Sequence, residues 1–349
     1  MKLKKQYFED IKLFKTTAGL VWSIAFILFL FILPFILKTY YLSIINLMAL
    51  NVIVALGLNI LVGNTGQISL GHGGFVAIGA YTAAFLLQLG VPFLVTLLIA
   101  GIIAAIIGGL LGIPSLRLEG PYLAIATLGF GLAVMVIIGR MDVFGGRMGM
   151  SVPKIDLSWT GLKYDESLYY VFIIITIIMT IFAQNIIKSR IGRAFQAVRD
   201  SDIAASVTGI NLARYKTLSF AISAFYAGIA GCLWALYLQF VNPGTFSFMM
   251  SVLFLATVVL GGLGSVTGSI LGGIAMTYLS LQADNIIDFP IIGSIIQSFS
   301  ETFMNPSGIA NIKWVLTGFT LIAVILFEPL GLNGVWLRIK RYWKLWPFY

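Results

Sequence analysis

The chain has 349 residues, 59% of them hydrophobic and only 10% charged, with a formal charge of +9. A soluble domain carries roughly 25% charged residues, so this chain has too little polar surface to cover its apolar mass and must meet lipid over most of its length. That balance excludes an ordinary soluble enzyme and a disordered chain.

Apolar runs recur along the whole sequence, each suited to a helix of about 20 residues crossing a hydrocarbon core of ~30 Å. They do not alternate in polarity, as residues 168–187 show, which argues against a β-barrel. The fold class expected is all-α: a polytopic membrane helical bundle of about ten spans. The spans fall at 20–37, 41–62, 69–89, 92–113, 121–139, 168–187, 217–240, 249–263, 266–282 and 312–327. Residues 1–19 form a basic N-terminal segment, 20–327 the membrane domain with a large loop at 188–216, and 328–349 a basic and aromatic tail.

The first span follows lysines, as a secretory signal would. It runs on to Lys38-Thr39-Tyr40-Tyr41 without a small-residue cleavage site, so it reads as a retained helix. The 69–89 segment is rich in Gly and Ala and is either a full span or a re-entrant half-span. Small residues recur every fourth position in Ser223, Ala227, Gly231 and Ala235, and again in Gly264, Gly268 and Gly272. Such stripes let helix backbones approach closely. Cys232 lies in an apolar run and reads as a packing residue. Trp336, Trp343, Trp346 and Tyr349, mixed with Lys and Arg, read as an interfacial anchor.

Ten spans put both termini on one side. Of the 22 Lys and Arg residues, 16 fall on that side and six on the other. The positive-inside rule then places both termini and loop 188–216 in the cytoplasm. The basic excess follows from topology and contact with anionic headgroups of the bilayer, and no nucleic-acid partner is expected.

The interior of the ten spans holds no Asp, Glu, Lys or Arg. A proton-coupled transporter is expected to keep an intramembrane carboxylate, because an ionised group in mid-membrane is costly and is retained mainly for ion work. One His and one Cys make no metal-ligand cluster, no catalytic constellation is recognisable, and no cofactor is expected. No Gly-x-x-x-x-Gly-Lys-Ser/Thr loop is present, so any nucleotide chemistry must sit on another chain.

Loop 188–216 contains a short helix signal. Ser201 is an N-cap, Asp202 sits in the first turn, Ile203 to Thr208 make about two turns, and Gly209 suits the left-handed stop. The helix is either a juxtamembrane element lying on headgroups or a docking element for a partner. At these residues a resemblance enters. Ala204-Ala205-x-x-x-Gly209 resembles the core of the Glu-Ala-Ala-x-x-x-Gly loop of ABC importer permeases, with Ile203 where that pattern has Glu and Asp202 one residue earlier. The longer run from Val198 to Asn211 resembles branched-chain amino acid permeases of the LivM type. So do Gly57 to Phe75, Gly120 to Phe130 and Val259 to Gly268, with Ser269 where Pro is expected. Gly145-Gly-Arg-Met-Gly149 is similar to an external-loop motif of that family.

The resemblance covers about residues 40–330. It implies an importer in the bacterial inner membrane, built from this permease, a second permease of the LivH type, two cytoplasmic ATP-binding subunits and an extracytoplasmic substrate-binding protein. Arg199, Asp200, Asp202, Ala204, Ala205 and Gly209 are then the candidates for coupling to the ATPases. Asn59, Gln67, Ser69 and His72 supply polar groups in an apolar setting and are the candidates for the substrate pathway, with hydrogen bonding between helices as the alternative role. The expected cargo is leucine, isoleucine and valine. A urea or short-amide permease, or an autonomous channel or sodium-coupled carrier, are the competing readings.

Overall fold

The computed structural model describes residues 17–284 and 318–345, apart from Glu119, Thr320, Leu321, Ile325 and Pro329. The expected span at 312–327 and the first 16 residues fall wholly or largely outside the described residues. The helices are α1 (Thr17–Ile36), α2 (Thr39–Thr65), α3 (His72–Gln88), α4 (Phe93–Gly112), α5 (Pro121–Ile138), α6 (Tyr164–Lys188), α7 (Arg190–Asp200), α8 (Asp202–Val207), α9 (Leu212–Leu238), α10 (Phe248–Gly261), α11 (Val266–Asp284) and α12 (Gly331–Leu345). Five described helices, α2, α4 (its apolar stretch reaching Arg117), α5, α6 and α9, are long and apolar enough to cross a membrane. The chain is a helical, multi-pass membrane protein.

Helices α2 and α9 form the centre. Most of the apolar stretch of each is buried, whereas less than a third of that of α5 is. Helix α9 packs on α4, α3 and α2, and α2 packs in turn on α11 and α6. The small-residue stripe explains the closeness. Ser223, Ala227 and Ala235 are fully buried. A Cβ on Gly231 would run into the Val76 backbone, and one on Gly79 into the Gly228 backbone. Cys232 is buried in the same interface.

Helix α1 lies apart, resting on α6. Pro34 has no N–H, so the carbonyl of Leu30 lacks its partner within the helix. Tyr169 Oη donates to that carbonyl at 2.8 Å, and Tyr170 Oη donates to Phe31 O at 2.9 Å. Most side chains along the rest of α1 face outward.

The two ends of the bundle differ. At one end, loop 190–216 meets the turn after α4. At the other, about 40 Å along the 27-residue α9 at ~1.5 Å per residue, a two-residue antiparallel ladder pairs Met150 with Val241 and Ser151 with Phe240. The Gly145–Gly149 motif leads directly into that ladder. Gly149 has φ +84° and its Cα faces the Val241 carbonyl and Asn242, where a side chain has no room.

Helix α3 starts at His72 rather than at residue 69. Gly66, at φ +75°, ends α2 in a left-handed turn, with Gly66 N–H donating to Val62 O and Gln67 N–H to Leu61 O. The chain then runs non-helically to Gly71. The 17 residues of α3 cover about 25 Å at ~1.5 Å per residue, short of a full ~30 Å core.

Candidate functional site

The break between α2 and α3 is buried. Gln67 is 5% exposed and Ser69 and His72 are fully enclosed. Gln67 Nε2 donates to Ser219 Oγ at 2.8 Å, and Ser219 Oγ donates to Lys216 O. His72 Nε2 lies 3.5 Å from Ser223 Oγ, and the imidazole meets the Phe75 ring edge-on. Neighbouring helices satisfy part of the break's backbone. Thr127 Oγ1 accepts from Leu70 N–H at 3.0 Å, and Ser251 Oγ accepts from Gly73 N–H at 2.9 Å. At the break, three buried side-chain atoms keep no partner among the described residues: Gln67 Oε1, Ser69 Oγ and His72 Nδ1. A buried polar atom without a partner costs about 1–3 kcal/mol, and such groups call for an explanation.

Asn59 belongs to a different cluster. It faces the turn between α10 and α11. Its Nδ2 donates to Ser265 O at 2.9 Å and Ser269 Oγ at 2.7 Å, and its Oδ1 accepts from Gly264 N–H at 2.8 Å. That turn needs glycine at Gly262 and Gly264, with φ of +111° and +79°. Ser269, standing where the family pattern suggests Pro, places its hydroxyl in this cluster. The structure thus brings Gln67, Ser69 and His72 together and sets Asn59 apart.

Loop 190–216 folds as two short helices. Ser189 Oγ caps α7 by accepting from Ile191 and Gly192 N–H. Helix α7 is amphipathic and buries Ala194, Phe195 and Val198. Ser201 Oγ caps α8 by accepting from Ala204 N–H at 3.3 Å, and Gly209 at φ +83° follows its end. Asp202 pairs with Lys216 on α9. Arg199 Nη1 donates to Gly63 O at 2.5 Å and lies against Gly264. Ala205 packs inward, whereas Ala204 and Asp200 face out. Ile203 and Val207 are 79% and 82% exposed, an apolar face that no other described residue covers.

Two features escaped the reading from sequence alone. The first is the set of serines and threonines that serve the break: Thr127, Ser219, Ser223 and Ser251. The small-residue stripe around Ser223 was the available signal, and it read as packing only. The second is the role of Gly63, whose carbonyl receives Arg199.

The family described as branched-chain amino acid transport system, permease component, matches residues 40–325. The high-affinity branched-chain amino acid transport system permease protein LivM of Escherichia coli is 38% identical over 223 residues, covering 56% of this chain and 52% of the relative. LivH of the same organism is 33% identical over 122 residues, covering 33% of this chain and 38% of the relative. BraD of Pseudomonas aeruginosa is 26% identical over 177 residues, covering 51% of this chain and 50% of the relative. The chain spans about half the length of the LivM relatives it matches. No solved structure matches it. A family match over most of the chain, on a multi-pass helical bundle with a capped, outward-facing loop helix, places this protein in the family of branched-chain amino acid transport permease components.

Proposed function

We propose that this chain is a membrane-spanning permease of an ABC importer for leucine, isoleucine and valine, acting in the bacterial inner membrane with its loop 188–216 in the cytoplasm. It moves a released zwitterion across the bilayer and carries out no bond chemistry of its own. A second permease of the LivH type completes the pathway, two ATP-binding subunits drive it, and an extracytoplasmic binding protein delivers the cargo.

The observation that carries this reading is α8. It is a six-residue helix, capped at both ends, whose Ile203 and Val207 stand in the open while its base is fastened to the bundle. An exposed apolar helix face suits a groove on a partner. Two links lead inward from the loop: Asp202 to Lys216 on α9, and Arg199 to the Gly63 carbonyl at the end of α2. Both helices border the break that holds Gln67, Ser69 and His72. Force applied to α8 by an ATPase therefore has a short route to the break. The names of the relatives favour branched-chain amino acids over urea or short amides as cargo.

The test is purification of the chain from its native membrane in mild detergent, followed by identification of what accompanies it. Recovery of a second permease and ATP-binding subunits, with loop cysteine replacements at 203 and 207 crosslinking to the ATPase, is expected. Recovery of the chain alone, under conditions that keep other ABC complexes whole, would overturn the reading in favour of an autonomous channel or carrier.

A further inference from the structure

At the loop end of the bundle, the ends of α2 and α7, the starts of α5 and α9, α8 and the turn after α4 line an open pocket of about 400 Å3. Its wall carries both signs of charge, with Arg199 and Lys216 beside Asp202. Leu118 and Leu123 add aliphatic surface, and Gly66 and Gln67, the first residues of the helix break, form part of the wall. The charged groups keep spare capacity. Gly63 O accepts from one of the five N–H donors of Arg199. Lys216 takes one oxygen of the Asp202 carboxylate, and 29% of the Asp202 side chain remains exposed.

This set of groups selects its ligand by exclusion. A phosphate or other polyanion would meet the Asp202 carboxylate. An apolar ligand would take the remaining hydrogen-bonding capacity of three charged side chains away from water without replacing it, at a cost. A molecule with one carboxylate, one ammonium and a branched aliphatic chain satisfies all the parts: carboxylate on the Arg199 guanidinium, ammonium on Asp202, and aliphatic chain against Leu118 and Leu123. Ligand pockets for small molecules run from about 300 Å3 upward, so the volume suits one such molecule.

We propose that this pocket, which shares Gly66 and Gln67 with the helix break and lies on its loop side, binds one zwitterionic aliphatic amino acid from the cytoplasmic side, and that occupancy slows import. The inference rests on the importer reading above. A ligand bridging Asp202 on α8 to Arg199 on α7 fixes the loop helix in one position, so accumulated product holds back the movement that the ATPases impose.

The experiment uses the intact permease–ATPase complex without its binding protein and measures equilibrium binding of tritiated leucine. Leu118→Trp fills the cavity from a half-buried position that takes no part in coupling. Binding by the wild type, at least tenfold weaker in Leu118→Trp, is expected. Valine should compete, whereas isocaproate and leucinamide, which each lack one charge of the zwitterion, should not. No binding, binding undiminished in Leu118→Trp, or equal competition by isocaproate would overturn the site. The same complex in proteoliposomes, with binding protein outside and ATP inside, separates the two readings. Several-fold slower uptake with leucine in the lumen, relieved by Leu118→Trp, supports the regulatory role. ATP-driven uptake indifferent to lumenal leucine overturns that role and leaves the importer standing. Leucine binding in the cavity without any ATP-driven uptake keeps the site and overturns the importer.

Discussion

Two glycine-rich breaks interrupt the buried helices of this protein, one between α2 and α3 and the other between α10 and α11. Both place polar groups where lipid and apolar side chains would otherwise be. They differ in how those groups are paired. At the second break Asn59 makes three hydrogen bonds, two as donor and one as acceptor, and binds the turn to α2. At the first, Thr127 and Ser251 satisfy backbone N–H groups, but Gln67 Oε1, Ser69 Oγ and His72 Nδ1 stay without partners among the described residues. A saturated cluster serves as a clamp. An unsaturated one costs stability and is the better candidate for meeting a polar cargo.

The contrast can be broken by substitution. Asn59→Leu should have the largest effect, because it strands the Gly264 N–H and removes two further hydrogen bonds, to the Ser265 carbonyl and the Ser269 hydroxyl, which keep each other as partners. A loss of about 2 kcal/mol or more is expected, at ~1–3 kcal/mol for the stranded N–H and ~0.5–1.5 kcal/mol for each of the two lost hydrogen bonds. Thermal unfolding in detergent should show it, with reduced protein in the membrane. A normal transition would show that the clamp carries no weight.

His72→Ala should act differently. The variant should reach the membrane at normal levels, while uptake falls about tenfold, equivalent to ~1.4 kcal/mol in the barrier. Retained uptake at normal levels would assign His72 to packing against Phe75. A third change addresses the loop. Gly209→Asp puts a side chain at φ +83°, where an L residue loses about 1–2 kcal/mol locally. ATP hydrolysis should then continue without matching transport, measured as the ratio of the two rates, while insertion is unaffected. An unchanged ratio would remove α8 from the coupling route.

The smallest effect is expected for Ser69→Ala. Its hydroxyl has no hydrogen-bond partner among the described residues, so replacing it should cost no stability and should raise it slightly. Substantial destabilisation would mean that Ser69 is paired in the assembled complex, and the contrast between the two breaks would narrow.

Much of the architecture was legible without coordinates. Apolar runs set nine of the expected helices to within a few residues, from α1 at 17–36 to α11 at 266–284. Ser201 and Gly209 marked the ends of α8, because capping is a local matter of side-chain oxygen, backbone N–H and the conformational freedom of glycine. The start of α3 was less legible. A stop at Gly66 and a restart at His72 depend on Thr127 and Ser251, which reach the break from α5 and α10.

Sequence by itself determined that this is a helical membrane protein, that the interior of its expected spans is uncharged, and that its loop carries a short capped helix. These properties depend on composition, run length and neighbours within four residues. Tertiary structure alone decided that Asn59 is a clamp while Gln67, Ser69 and His72 share an unsaturated seam. It also decided that Arg199 reaches Gly63, and that Asp202 and Lys216 line one open pocket with Leu118. Each of these pairs residues from separate stretches of the chain, and their partners are set by helix packing, which periodicity and spacing do not encode.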